Sequence, residues 1–230
     1  MNARTFVIAA VVVLPTVLPS WSRATPFENL RHGRIRHTFS GFVFPKQIGV
    51  FHREQMHQYN QAGSDVSAGY NAGVLIAATV YVYPAPSQQS AEVLSREFAS
   101  KRAEVLHGHQ GVAVLSDSPV TVSQGGAKYS GKREYFAYRD IFAHTPQNLK
   151  SQLLVFHDGA VFVEYRFTYP RDHADQAEQE IERYGHGVDN QMSNQSMKPT
   201  PKAFASRLAP FRNASSVLAT PLCHGLTLFR

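Results

Sequence analysis

The stretch Val74 to Pro86, VLIAATVYVYPAP, contains no charged residue. It constrains the fold more than any other part of the chain, because it must be a membrane segment, an exposed binding edge or the interior of a core. Val74, Ile76, Ala78, Val80 and Val82 alternate with Leu75, Ala77, Thr79, Tyr81 and Tyr83. Both sets are apolar and rich in β-branched or aromatic side chains, the pattern of a strand covered on both faces. A helix that crosses a bilayer needs about 20 apolar residues, and this run is too short. An edge position would leave a flat apolar rim open to aggregation. Pro84 and Pro86 end the pairing, since proline has no amide donor. The stretch is expected as the central strand of a sheet.

The period changes after it. In SQQSAEVLSREFASKRAEVLH, the residues Ala91, Leu94, Phe98, Arg102 (through its stem) and Val105 recur every three or four places, which makes one helical face. Val93 lies off that face. Ser87 is the expected N-cap and Gly108 the stop. A second helix is expected in PRDHADQAEQEIERYG, capped by Asp172 and ended by Gly185, with Ala174, Ala177, Ile181 and Tyr184 as a narrow apolar stripe.

The remaining segments read as strands and turns. FSGFVFP from Phe39 is a brief aromatic strand, Ile48 to Tyr59 a second, and Val66 to Tyr70 a third, followed by a turn at Asn71 to Gly73. VAVLSDSPVTVSQGG is strand-like, interrupted at Pro119, with a turn at Gly125–Gly126. AKYSGKREYFAYRDIF is a long strand in which Gly131 reads as a bulge. HTPQN reads as a loop. SQLLVFHDGAVFVEYRFTY is a hairpin turning at Asp158–Gly159.

The chain has 230 residues and a formal charge of +6. Residues 25–184 hold 16 basic and 16 acidic side chains, so the excess lies outside the expected fold. A domain that neutralises phosphates carries its basic excess on the folded face, and a nucleic-acid partner is therefore not expected. The opening MNARTFVIAAVVVLPTVLPSWSRATPF has a basic start, an apolar run from Thr5 to Leu18, a break at Pro19, and small residues Ser22 and Ala24. That is the layout of a secretory signal peptide over residues 1–24, cut between Ala24 and Thr25. The alternative is a retained N-terminal anchor, the one case in which a membrane would be a partner. The expected compartment is periplasmic or extracellular. RHGRIRH, Arg31 to His37, reads as a solvated leader ahead of the first strand, with contact to anionic lipid or an acidic partner as the alternative.

After Tyr184 the periodicity is lost. Residues 185–230 are polar, basic and proline-bearing and read as a disordered tail. Their phrasing resembles the read-through of a repeated DNA element appended to a bacterial gene, in which case Cys223, the one cysteine, has no role. The alternative is a flexible interaction tail.

Runs of strands with few helices argue for an α+β fold, an antiparallel β-sheet packed with two α-helices over residues 39–184. The Phe44–Pro45 start, the hairpin feeding the VYVY strand, the helix after it, the meander and the final helix together resemble the PsbP-like fold. The ATVYVY strand is also similar to that of bacterial exported proteins of unknown function. The PsbP-like resemblance implies an extrinsic subunit or binding module rather than an enzyme, and carries no catalytic signature to transfer.

The search for chemistry is short. G-x-S-x-G, H-E-x-x-H, G-x-x-x-x-G-K-S/T and G-x-G-x-x-G are all missing from the sequence. Eleven histidines invite a metal reading. His107 and His109, and likewise His52 and Glu54, are two apart and would share a strand face, so two imidazoles and a carboxylate could hold zinc with one position open. Nothing in the sequence brings the pairs together, and His107 at a helix end is favoured by the dipole alone. His144, His157 and His173 fall at turns or caps. The aromatics Tyr81, Tyr83, Tyr135, Phe136, Tyr138, Phe162, Tyr165, Phe167 and Tyr169 read as core, with a sugar or lipid pocket as the alternative. Catalytic, cofactor-binding and metal residues are accordingly expected to be none, and no cofactor is expected. The function expected is an exported, non-catalytic binding or accessory protein for an unknown protein or small molecule. The alternatives are a metal-dependent hydrolase using histidines and an anchored periplasmic domain.

Overall fold

The computed structural model describes residues 25–73, 75–88, 90–124 and 127–193. The chain begins with a small antiparallel sheet of β1 (Phe27–Asn29), β2 (Ile35–His37) and β3 (Val43–Phe44). An eight-stranded antiparallel sheet follows: β4 (Gln47–Ile48), β5 (Phe51–Gln58), β6 (Val66–Ala72), β7 (Ile76–Pro84), β8 (Ala113–Gln124), β9 (Ala127–Phe142), β10 (Thr145–Asp158) and β11 (Val161–Pro170). Its spatial order is β4-β5-β6-β7-β11-β10-β9-β8. The helices are α1 (Ala91–Gly108) and α2 (Ala174–Ser193). This is the expected α+β fold with an antiparallel sheet and two helices. Among the described residues, no helix is long and apolar enough to cross a membrane.

The uncharged stretch is β7, inside the sheet, with Val82 paired to Val66 on one side and to Val163 on the other. Ile76, Ala78, Val80 and Val82 are buried in one core with Phe51, Tyr70 and Phe167, against Ala177, Ile181 and Tyr184 of α2. Each fully buried Val, Ile or Phe among them contributes about 1.5–3 kcal/mol. The small sheet shares this side, since Phe42 and Phe44 belong to the same core. On the opposite side α1 buries Leu94, Phe98 and Val105 against Phe136, Leu149, Leu153 and Val155. The two helices therefore lie on opposite faces. The second face of β7 differs from expectation: Tyr81 and Tyr83 meet charged groups there instead of a dry apolar layer.

Several local expectations are corrected. Strand structure begins at Phe27 rather than Phe39, because β2 pairs with both β1 and β3, and RHGRIRH ends in the buried His37. The strand expected over 48–59 is a hairpin broken at Gly49 (φ 55°), and Glu54 is an extra residue between Arg53, paired to Tyr70, and Gln55, paired to Gly69. The N-cap of α1 is Ser90, whose Oγ accepts from the Val93 amide at 3.1 Å, not Ser87. Pro119 does not break β8, which tolerates it because the strand is at the sheet edge.

Gly131 is no bulge. Its register is unbroken, and a Cβ there would sit 2.5 Å from the Phe156 ring, so the glycine makes room for an aromatic. TPQN belongs to β10, and the loop shrinks to Ala143–His144, both with positive φ as a type I′ turn requires. The β10–β11 turn is centred on Gly159–Ala160, one residue later than expected. Asp172 lies in a short 3-10 turn before α2, and Gly185 does not end that helix. The Gly125–Gly126 turn, residues 1–24 and residues 194–230, including Cys223, lie outside the described residues.

Candidate functional site

A group of charged and aromatic side chains with perturbed environments gathers where side chains of α1 reach β7 and β11. The hairpin register sets them in rows. Ser67, Tyr81 and Glu164 lie side by side on β6, β7 and β11, and Gly69, Thr79 and Arg166 form the next row. All project to the α1 side, because residues of the other parity are in the α2 core. From above, α1 contributes Glu97, Lys101 and Glu104, spaced three and four apart and so on one helical face.

Glu164 is 1 % exposed, an unusual place for a carboxyl. Arg166 bonds it through Nε and reaches Glu104 through a second guanidinium nitrogen. The Tyr83 hydroxyl lies 3.0 Å from Glu97 Oε1 and 3.3 Å from Glu164 Oε2. Lys101 bonds Glu104 at 2.7 Å and lies 5.0 Å from the centre of the Tyr83 ring. Arg166 lies 5.2 Å from the Tyr81 ring centre.

Burial pushes the Glu164 carboxyl up, against the pull of Arg166 and Lys101. For Arg166, burial acts downward, but Glu164, Tyr81 and Glu104 outweigh it and hold the guanidinium above its usual value. Burial is likewise overcome at Glu104, which Lys101 and Arg166 hold low, and at Lys101, which Glu104, Glu164 and Glu97 hold high. The Tyr83 phenol is pushed far up by burial and by its two carboxylate neighbours. One phenol proton satisfies only one carboxylate at a time. The set closes when Glu164 carries a proton and donates it to Tyr83, which donates to Glu97, and burial favours that form.

Beyond the helix, β5 and β6 extend the same face outward. His52, Gln55 and His57 are exposed there, while Gly69, Asn71 and Thr79 are half-buried. The hairpin tip adds Tyr59 and Asp65, paired through the Tyr59 amide and the Asp65 carbonyl at 2.9 Å. Asp65 is raised by burial and lies within electrostatic reach of Lys101, Glu104 and His57. The result is a polar cleft along the side of α1, where the helix rises from the sheet, with Ser67, Tyr81 and Arg166 on the sheet face and Asp65 of the β5–β6 tip within electrostatic reach of Lys101 and Glu104. Its chemistry is electrostatic, namely ion pairing, cation–aromatic contact and hydrogen bonding of the Tyr83 phenol with the Glu97 and Glu164 carboxyls.

The histidines singled out by sequence are scattered. The bulge at Glu54 breaks the alternation that would have set it beside His52. His107 is exposed in the last turn of α1, whereas His109 bonds Asp140 at 2.7 Å and stacks on Tyr138 at 4.0 Å. His157 bonds the Pro86 carbonyl, and His144 and His173 are exposed. Among the described residues, no group of three His, Cys, Asp or Glu side chains is placed to hold a metal ion. Phe136, Tyr138, Phe162, Phe167 and Tyr169 are buried core residues, and Tyr81, Tyr83, Tyr135 and Tyr165 are half-buried. The residues that build the cleft, Asp65, Lys101, Glu104, Glu164 and Arg166, were not singled out. The available signal was the placing of Glu164 and Arg166 mid-strand between two apolar stretches.

No family model matches the chain. No curated protein matches it either. Among solved structures, it is similar to the cyanobacterial PsbP protein CyanoP from Synechocystis sp. PCC 6803, at 12 % identity and a TM-score of 0.41, covering 67 % of this chain and 89 % of that one. It is also similar to PA94, a protein of unknown function from Pseudomonas aeruginosa, at 11 % identity and a TM-score of 0.37, covering 73 % and 97 %. The Saccharomyces cerevisiae Ran-binding protein Mog1p is a third, at 10 % identity and a TM-score of 0.28, covering 62 % and 98 %. At these values the likeness reaches no further than a broad β-sheet architecture.

Proposed function

We propose that this chain is an exported, non-catalytic binding or accessory module, working in the periplasm or at the cell surface, and that it binds through the cleft between α1 and the β5–β6 tip. The observation that carries the reading is the cleft itself. Its deep charges are committed to one another across α1, β7 and β11, which makes a rigid floor, while its outer part leaves polar and aromatic side chains open. A preorganised floor with an adaptable rim favours binding, because little side-chain entropy is lost on contact. The export half of the proposal rests on the layout of residues 1–24. A binding module is also what the PsbP-like resemblance of residues 39–184 implies.

The test uses a photo-reactive residue at Gln55 in the cleft, with Arg183 on α2 as the control position, in cells that produce the whole chain. Adducts from Gln55 and not from Arg183 are expected, and N-terminal sequencing of the exported form should start at Thr25. Equal labelling from both positions would remove the cleft from the reading. Turnover by the purified chain that one cleft substitution abolishes would show it to be an enzyme. A mature form that still carries residues 5–18 would make it an anchored protein.

A further inference from the structure

The network beside α1 uses one arrangement twice. Lys101 lies over Tyr83 and is held by Glu104, with Glu97 3.9 Å away. Arg166 lies over Tyr81 and is held by Glu104 and Glu164. Each is a cation seated between an aromatic face and carboxylates, where partial desolvation strengthens both attractions.

The hairpin tip brings a third ring and a further carboxylate to the same side of the sheet. The Tyr59 hydroxyl shares a hydrogen bond of 3.0 Å with Ser67 Oγ, and its ring stacks 6.1 Å from that of Tyr81. His57 meets the Tyr59 ring edge-on at 4.4 Å. Tyr59 is nevertheless 50 % exposed. Among the described residues no cation lies over its ring, and the half-buried Asp65 carboxylate has neither a hydrogen bond nor an ion pair. The charge balance agrees with this. Asp65, Glu97, Glu104 and Glu164 face Lys101, Arg166 and the His57 imidazole, so carboxylates outnumber the permanent cations even when Glu164 holds a proton.

We propose that the cleft binds a cationic group, an ammonium or guanidinium, seated against the exposed part of Tyr59 beside His57, with Asp65 as its counter-charge. This rests on the cleft being the binding surface, and adds the ligand class. The cation donates a charge-assisted hydrogen bond to the Asp65 carboxylate and is attracted by the quadrupole of Tyr59. It also relieves the repulsion between Asp65 and Glu104. Two sources share this chemistry, a free polyamine and a basic side chain of a peptide.

The test is an NMR titration of the purified exported chain with three probes at matched ionic strength: spermidine, the peptide Gly-Gly-Lys-Gly-Gly, and glutarate as an anionic control. Saturable shifts at Tyr59, Asp65 and Ser67 with spermidine or the lysine peptide are expected, and the stronger of the two identifies the source. Asp65→Asn and Tyr59→Ala should each weaken binding by about fivefold to tenfold, as loss of a partly desolvated cation contact implies. Glu28→Gln, on the remote β1, should not. Asp65→Asn removes a charge that burial disfavours, so it should fold at least as well as the parent, and unchanged binding in both cleft variants overturns the proposal. Shifts with glutarate alone keep the cleft as a binding surface and discard the cation. If all three probes leave the spectra unmoved, the cation proposal fails, and the Gln55 cross-link decides separately whether the cleft binds anything.

Discussion

Two buried titratable residues give this protein opposite responses to pH. The native state raises Glu164 above its usual 4.5 through burial, so between 4.5 and the raised value the folded chain binds more protons than the unfolded one. Stability then falls as pH rises through that window. Arg166→Ala should cost about 3–5 kcal/mol at pH 8, where it strands a buried carboxylate. The cost should shrink as pH falls toward 4.5, because burial raises Glu164 and a stranded carboxyl takes up a proton more readily; urea unfolding at pH 8 and at pH 5 measures it. His37 works the other way. Its Nε2 donates to the Gly63 carbonyl at 2.7 Å and its Nδ1 meets Ser40 Oγ at 2.8 Å, the neutral tautomer. Burial lowers His37 below 6.5, the Gly63 bond opposing it, so below 6.5 the unfolded chain binds the extra proton and acid destabilises the fold. The stability lead of the parent over His37→Gln should narrow as pH drops from 7.5 to 5.5. A gap that stays constant over that range would mean His37 does not titrate with unfolding.

At the scale of elements, α1 holds the cleft together, because one helix supplies Glu97, Lys101 and Glu104 and also the apolar residues Leu94, Phe98 and Val105. Its first turn is secured by Ser90, so Ser90→Ala should lower stability by about 1 kcal/mol while Ser87→Ala changes it little. Chemical denaturation of the two variants separates them, and equal midpoints would contradict the cap assignment. The helical stripe is legible in the sequence, since a repeat of three and four is a local property of the chain. The cap is less so: Ser87 and Ser90 are the same residue type three places apart, and the choice depends on where the chain leaving Pro84 meets the sheet. The bulge at Glu54 was illegible for a related reason. An extra residue in β5 is defined by what Tyr70 and Gly69 pair with, not by β5 alone.

Over the whole molecule, the order of the large sheet places β7 deep inside it and leaves β4 and β8 at the rims. The segment before Phe39 completes the α2 side, because Phe27 packs on that core and His37 ties β2 to the Gly63 loop. A chain that starts at Phe39 should therefore lose about 3 kcal/mol or more relative to one that starts at Thr25, through lost apolar burial and an orphaned buried carbonyl. Thermal unfolding of the two forms tests this, and equal midpoints would return residues 25–38 to the role of a leader. The sequence by itself determined the elements with a strong local period: β7 from its two-residue alternation, both helices from their apolar stripes, and the β10–β11 hairpin from Asp158–Gly159. It also determined that the sheet is antiparallel, since short turns cannot join parallel strands. Only the tertiary structure decided that Glu164 is buried and Arg166 half-buried. Their alternation in β11 fits a solvated face equally well, and whether that face meets water or α1 depends on packing between segments some sixty residues apart. Burial belongs to two elements together, and no single stretch of chain encodes it.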